Sequence, residues 1–372
     1  MLESHGRITG AAAQQISGTS PEMSAPSRRY FLLQSAALAV APASQARVLG
    51  PWEPAPRFVT RGVVLLPEDL TLRDWPERAK QAGLTTLALH HGRSVFEVIK
   101  FVHSEAGQDF LARAQKLGLE IEYELHAMSD LLPRWLFEED RNLFRMNEGG
   151  ERVADWNLCI HAPRALEIAA ENAVAMARLL RPTTGQYFYW GDDGRPGCRC
   201  PKCRALSDSE QALVLENHLV RALRRYDPRA QLAHLAYSTT LAAPRQVKPD
   251  EGVFLEYAPI ARRYDIPYAE QMDGRDGLSN LDANLRVFTA GAAQVLEYWL
   301  DASRFSNWKR PARKLPWNRD VFLADLQTYA ARGIRRITTF ACYLDADYRE
   351  RYGEPEAIEE YGAGLRGFSL MR

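Results

Sequence analysis

Acidic and histidine side chains recur where apolar runs of this chain come to an end, and these are the residues whose types could do chemistry. His90 follows Leu89, and Glu122, Glu124 and His126 alternate with Ile121, Tyr123 and Leu125. Asp192 and Asp193 follow Trp190-Gly191, Glu256 follows Phe254-Leu255, and Glu297 precedes Tyr298-Trp299. Carboxyl groups in pairs suit acid–base work: one, protonated, releases a leaving oxygen while the other, ionised, acts as base or nucleophile, as cleavage of a glycosidic bond requires. On this reading Asp193 is the general acid, Glu297 the nucleophile or base, and Asp192 a modulator of Asp193. His90, Glu124, His126, Tyr237 and Glu256 are expected to contact substrate, and Trp190, Tyr257, Tyr298 and Trp299 to offer rings for sugar stacking. In a substrate-assisted variant the adjacent acids orient an N-acetyl group and protonate the leaving oxygen. Two rivals remain: metal-dependent hydrolysis with His90, Glu124 and His126 as ligands, and a barrel that binds carbohydrate without cleaving it.

A second cluster is Cys198-Arg-Cys200-Pro-Lys-Cys203. Short spacing lets thiolates wrap one ion, and Cys159 or His161 could complete four ligands around a structural zinc. One disulfide, or free thiols, are the alternatives. Catalysis itself calls for no cofactor. Cys342 reads as a buried core thiol.

The elements that would position these residues follow a rhythm of short apolar runs and amphipathic segments. Strands are expected at 62–67, 85–90, 119–125, 186–190, 231–237, 252–257, 293–299 and 335–341. Helices are expected near 74–83, 95–117, 162–180, 207–225, 277–291, 318–332 and 355–366, with the helix after the fifth strand missing or short. Eight strands alternating with helices predict an α/β fold, a (β/α)8 TIM-type barrel. An open doubly wound sheet would carry a glycine-rich phosphate turn after its first strand, but Leu66-Pro67-Glu68-Asp69 stands there. Barrel active sites are built at the C-terminal ends of strands, where the acidic residues fall. The connection from 127 to 160 is long enough to make a lid or a substrate wall. With no internal repeat or low-complexity linker, one domain is expected over 57–372.

Lys+Arg and Asp+Glu both number 47, so no basic excess points to nucleic acid. Upstream, Ser27-Arg28-Arg29-Tyr30-Phe31-Leu32 and the apolar run to Ala43 read as a twin-arginine signal, cut after Ala43 or Ala46. Residues 1–46 are thus a disordered extension plus signal peptide. The mature chain is expected to be periplasmic or secreted, with no membrane anchor and a carbohydrate as its partner.

Asp155-Trp-Asn-Leu-Cys159-Ile-His-Ala-Pro163, followed by Asp192-Asp193-Gly194 and the cysteine motif, resembles the family labelled domain of unknown function 4838. Asn217, Pro228, Leu235-Ala236-Tyr237 and Pro244 before Val247-Lys248-Pro249 extend the resemblance over most of 115–345. It implies a barrel akin to α-glucuronidases and β-hexosaminidases and a part in polysaccharide use. Asp193 then matches the Asp of the family's Asn-Asp-Gly motif, and Asp192 stands where Asn is usual. Glu297-Tyr298-Trp299 departs from the aromatic pattern of that strand.

Overall fold

The computed structural model describes residues 57–369 except 273, 275 and 276. The signal-peptide reading therefore lies outside the described residues. Eight parallel strands close into a barrel in chain order: β1 (Thr60–Leu65), β2 (Thr86–Leu89), β3 (Glu120–His126), β4 (Gln186–Trp190), β5 (Gln231–Ala236), β6 (Val253–Tyr257), β7 (Gln294–Glu297) and β8 (Arg336–Phe340). The helices are α1 (Trp75–Ala82), α2 (Val95–Val102), α3 (Glu105–Lys116), α4 (Met128–Leu131), α5 (Pro163–Leu179), α6 (Asp208–Tyr226), α7 (Leu278–Leu285), α8 (Ala302–Phe305), α9 (Arg319–Ala331), α10 (Ala346–Tyr352) and α11 (Ala357–Gly367).

One departure from the expected elements has a local cause. The helix expected over 95–117 is two helices, because Ser104 caps a fresh N-terminus by accepting from the Gly107 amide. Gly107 passes so close to the Phe101 carbonyl that a Cβ there would overlap it, which only glycine avoids. After β5 the helix is missing, as expected, and a single 3-10 turn, Ser238–Thr240, stands there. Prolines 244 and 249 in the segment that follows discourage one.

Strand alternation divides the core in two. Val64, Ala88, Phe188, Ala233, Phe254, Leu296 and Phe340 fill the barrel interior, where Phe188 meets Phe254 edge-to-face at 5.6 Å. The opposite set, including Val63, Leu87, Leu125, Leu255, Val295 and Ile337, packs under the helices. The connection from 127 to 162 holds α4, two 3-10 turns and the antiparallel bridges Phe144–Leu158 and Met146–Arg152, and it folds against the mouth beside β4. Among the described residues no helix is long and apolar enough to cross a membrane.

Candidate active site

The mouth is built mainly from the ends of β2 to β5. At the end of β2 the His90 ring lies 5.7 Å from Trp190 and 5.3 Å from Phe340, and it stacks 4.8 Å from His91. Its Nδ1 sits 2.5 Å from the Glu124 carbonyl, which can only accept, so Nδ1 carries the proton. Burial, reinforced by the neighbouring histidines, holds His90 well below the usual imidazole range and His91 down at about 4, so both are neutral near pH 7. His126 at the end of β3 places Nδ1 2.7 Å from the Gly191 carbonyl, fixing the same tautomer. Its Nε2 then faces the Asp193 carboxyl at 3.8 Å, outside direct hydrogen-bond reach.

Asp192 and Asp193 leave β4 in opposite states. Asp193 reaches solvent with 66% of its side chain exposed. Asp192 is clasped: its Oδ2 accepts from Arg134 Nη2 at 2.7 Å and from the Asn157 amide at 2.5 Å. Asn157, at φ 41°, returns the contact by accepting from the Asp192 amide at 3.1 Å, and its Nδ2 donates to the carbonyls of Arg195 and Pro196. The expected substrate wall is thus the piece of chain that positions an acid. A cleft runs beside this loop, lined by His126, Asn157, Asp192, Arg195, Tyr237 and Thr239, among others.

Below the mouth lies a sealed polar floor. Glu124 and Glu256 are fully buried, and Gln294 bridges them, donating to Glu256 Oε1 at 3.1 Å and Glu124 Oε1 at 3.5 Å. Trp190, itself 2% exposed, donates from Nε1 to Glu256 Oε2 at 2.9 Å. Burial pushes both carboxyl groups well above the usual range, and Glu122 one layer deeper up to about 7. Glu124, Glu256 and Trp190 face inward as expected but form floor rather than exposed substrate contacts.

Three expected site residues lie on the wrong side of the wall. In β7 the inward set is Gln294, Leu296 and Tyr298, so Glu297 points out toward the helix layer and is fully buried there. Arg262 Nε lies 3.1 and 3.3 Å from its two oxygens, Tyr264 donates to Oε2 at 3.0 Å, and Tyr329 of α9 donates to Oε1. Arg262 also pairs with Asp325 of α9 at 2.6 Å. Trp299 shares that face and donates to Asp325 at 3.0 Å. Tyr257 likewise faces outward, with its hydroxyl against Tyr268 and donating to the Gly277 carbonyl. Glu297 is therefore a member of a structural ion network, and Tyr257 and Trp299 are core. Tyr298 points inward but stacks on Phe340 at 5.3 Å and is 4% exposed.

The metal-ligand grouping of His90, Glu124 and His126 does not form either. Both histidines spend Nδ1 on backbone carbonyls, and Glu124 is engaged by Gln294. Among the described residues the only such cluster of three or more is Cys159, Cys198, Cys200 and Cys203. Arg134 and Asn157 are the positioning residues that motif reading passed over. Asn157 lies inside the Asp155-Trp-Asn run, whereas nothing in the sequence around Arg134 marks it.

Fold and mouth together define a (β/α)8 barrel with an acidic, histidine-lined C-terminal opening. The chain belongs to the family described as a domain of unknown function (DUF4838), whose model matches residues 23–343. No curated protein matches it. Its fold is similar to that of Gan42B, a GH42 β-galactosidase from G. stearothermophilus (TM-score 0.52, 13% identity, 83% of this chain and 57% of that one). It is also similar to the β-galactosidase of the psychrophilic Marinomonas ef1 (TM-score 0.51, 13% identity, 82% and 59%) and to that of Rahnella sp. R3 (0.50, 14%, 84% and 57%). The chain spans less than three-fifths of the length of these enzymes.

Proposed function

We propose that the chain is a glycoside hydrolase whose chemistry runs at the β3–β4 side of the mouth, with Asp193 protonating the leaving oxygen. The observation that carries this is the placement of Asp193: a solvent-facing carboxyl 3.8 Å from His126 Nε2, next in the chain to Asp192, which lines a cleft. A carboxyl covered by bound substrate loses water and holds its proton more tightly, as a general acid must. A barrel shared with β-galactosidases fits this class.

The withdrawal of Glu297, Glu256 and Glu124 from solvent favours the substrate-assisted variant. Both bonds to Asp192 converge on Oδ2, and Oδ1 is left to accept from an acetamido N–H of the substrate. The acetamido oxygen would then attack the anomeric carbon as Asp193 releases the leaving group.

A panel of aryl glycosides and oligosaccharides, each with and without a 2-acetamido group, tests the proposal. Turnover on acetamido sugars, with much slower cleavage of their hydroxyl counterparts, is expected. Tight binding of glycans with no cleavage of any would replace the enzyme by a carbohydrate-binding barrel. We also propose export by the twin-arginine route, supported by Ser27-Arg28-Arg29 ahead of the apolar run. Replacing Arg28 and Arg29 by Lys should trap the precursor in the cytoplasm, and normal processing of that mutant would refute the route.

A further inference from the structure

We propose that Cys159, Cys198, Cys200 and Cys203 hold one tetrahedral zinc ion, and that this ion ties the wall of the cleft to the loop that carries Asp192 and Asp193. All four thiols are buried, and their sulfurs lie within 4.8 Å of one another. The resolved separations are 3.9 Å from Cys159 Sγ to Cys200 Sγ and 3.7 Å from Cys159 Sγ to Cys203 Sγ. Four Zn–S bonds of about 2.3 Å at tetrahedral angles put neighbouring sulfurs about 3.8 Å apart. A disulfide requires about 2.05 Å, and these four cysteines are unbridged.

The surroundings suit a tetrathiolate. Cys198 Sγ accepts from the Met146 amide at 3.2 Å and the Cys200 amide at 3.4 Å, with Arg152 Nη1 at 3.7 Å. His161 Nδ1 lies 3.2 Å from Cys203 Sγ. Four thiolates around a divalent ion leave two negative charges, and such donors disperse them. An all-sulfur tetrahedral set selects zinc or iron over hard cations, and four protein ligands leave no open position for catalysis.

The chain path supplies the consequence. Cys159 comes from the wall segment and stands two residues after Asn157, the residue that clasps Asp192. The other three thiols come from the β4–α6 loop, whose Arg195 and Pro196 carbonyls accept from Asn157. The ion would add four bonds to the contacts that already join the two segments: the Arg199 amide to the Met146 carbonyl, Arg199 to Glu148, Arg195 over the Trp156 ring, and the Asn157 and Arg134 contacts with Asp192.

The experiment uses the full chain, purified without chelator. Elemental analysis should find about one zinc per chain, and exchange to Co2+ should give the intense thiolate charge-transfer and visible d–d bands of a tetrahedral sulfur site. Cys200→Ser should lower metal content, whereas Cys342→Ser, outside the cluster, should leave it unchanged. Should Cys200→Ser fail to fold, wild-type metal content and the cobalt spectrum decide alone. Stripping the metal should open residues 195–202 to limited proteolysis while far-ultraviolet circular dichroism of the barrel persists. Metal-free protein with four reactive thiols, or a disulfide among them in mass mapping, overturns the ion. Unchanged proteolysis on metal removal overturns the tie to the acidic loop.

Discussion

Two sets of carboxylates leave neighbouring regions of the same barrel and meet opposite environments. Glu297 and Asp325 are sealed between the strands and α9, both fully buried. There an unpaired charge would cost far more than it returns, so Arg262, Tyr264, Tyr329 and Trp299 surround them. Asp193 sits at the mouth, where water supplies what an arginine supplies inside, and its carboxyl faces solvent. Between these extremes Asp192 is half withdrawn and held by Arg134 and Asn157. An acidic residue at a strand end therefore says little until the face it occupies is known. The same residue type is a structural counterion on one face and a solvent-facing carboxyl on the other.

The comparison breaks most visibly if the sealed network is opened. Arg262→Met should strand two buried carboxylates and cost about 3–5 kcal/mol, the usual loss when one partner of a buried ion pair is removed. Chemical denaturation would measure it, and a loss under about 1 kcal/mol would mean that the network is not a structural necessity.

Asp193→Asn should act on the other observable, cutting turnover by about 10² to 10⁴ while the melting temperature stays put. The loss should shrink for leaving groups that depart without protonation. Glu297→Gln should do the reverse, moving stability and leaving the rate of the folded enzyme nearly intact. Equal rate losses for the two variants would erase the distinction between the regions.

The floor gives a pH signature. Burial raises Glu122 from 4.5 to about 7, so its protonated form is favoured by folding. Its contribution is complete below the unfolded value and drains away as pH rises from about 4.5 to 7, by about 3 kcal/mol in all. Glu124 and Glu256 shift in the same direction and extend the decline to higher pH. Glu122→Gln should flatten the fall in unfolding free energy over that window. An unchanged slope would show that Glu122 does not titrate there.

The smallest effect is expected at Asn157. Asn157→Ala removes the side-chain clasp on the Asp192 amide and on Arg195 and Pro196, but keeps the backbone donor to Asp192. Of the three bonds lost only the one to the Asp192 amide bears on the acidic pair, so turnover should fall by about tenfold, with Arg134 still in place. A loss as large as that of Asp193→Asn would move Asn157 from positioning into the chemistry itself.

The eight strands were legible in the sequence because each is a short apolar run bounded by turn chemistry, and a parallel barrel strand is buried on both faces. The cysteine grouping was legible for a similar reason, since three of its members lie within six residues and need no tertiary information to meet. The split between α2 and α3 was not, because it depends on a capping serine and a backbone approach rather than on periodicity.

Which acids serve the mouth was decided only by the tertiary structure. Alternation along β7 sorts Glu297 from Tyr298 without saying which set faces in, and a one-residue change of register exchanges the two faces. The choice is made by partners distant in sequence: Arg262 pairs with both Glu297 and Asp325 in the helix layer, and Gln294 joins β7 to Glu124 and Glu256 across the barrel. The sequence by itself determined that acids and histidines would gather at strand ends of a closed barrel. Closure decided which of them meet water, because a buried charge is tolerable only where the fold brings its counterion, and that pairing is written in no local pattern.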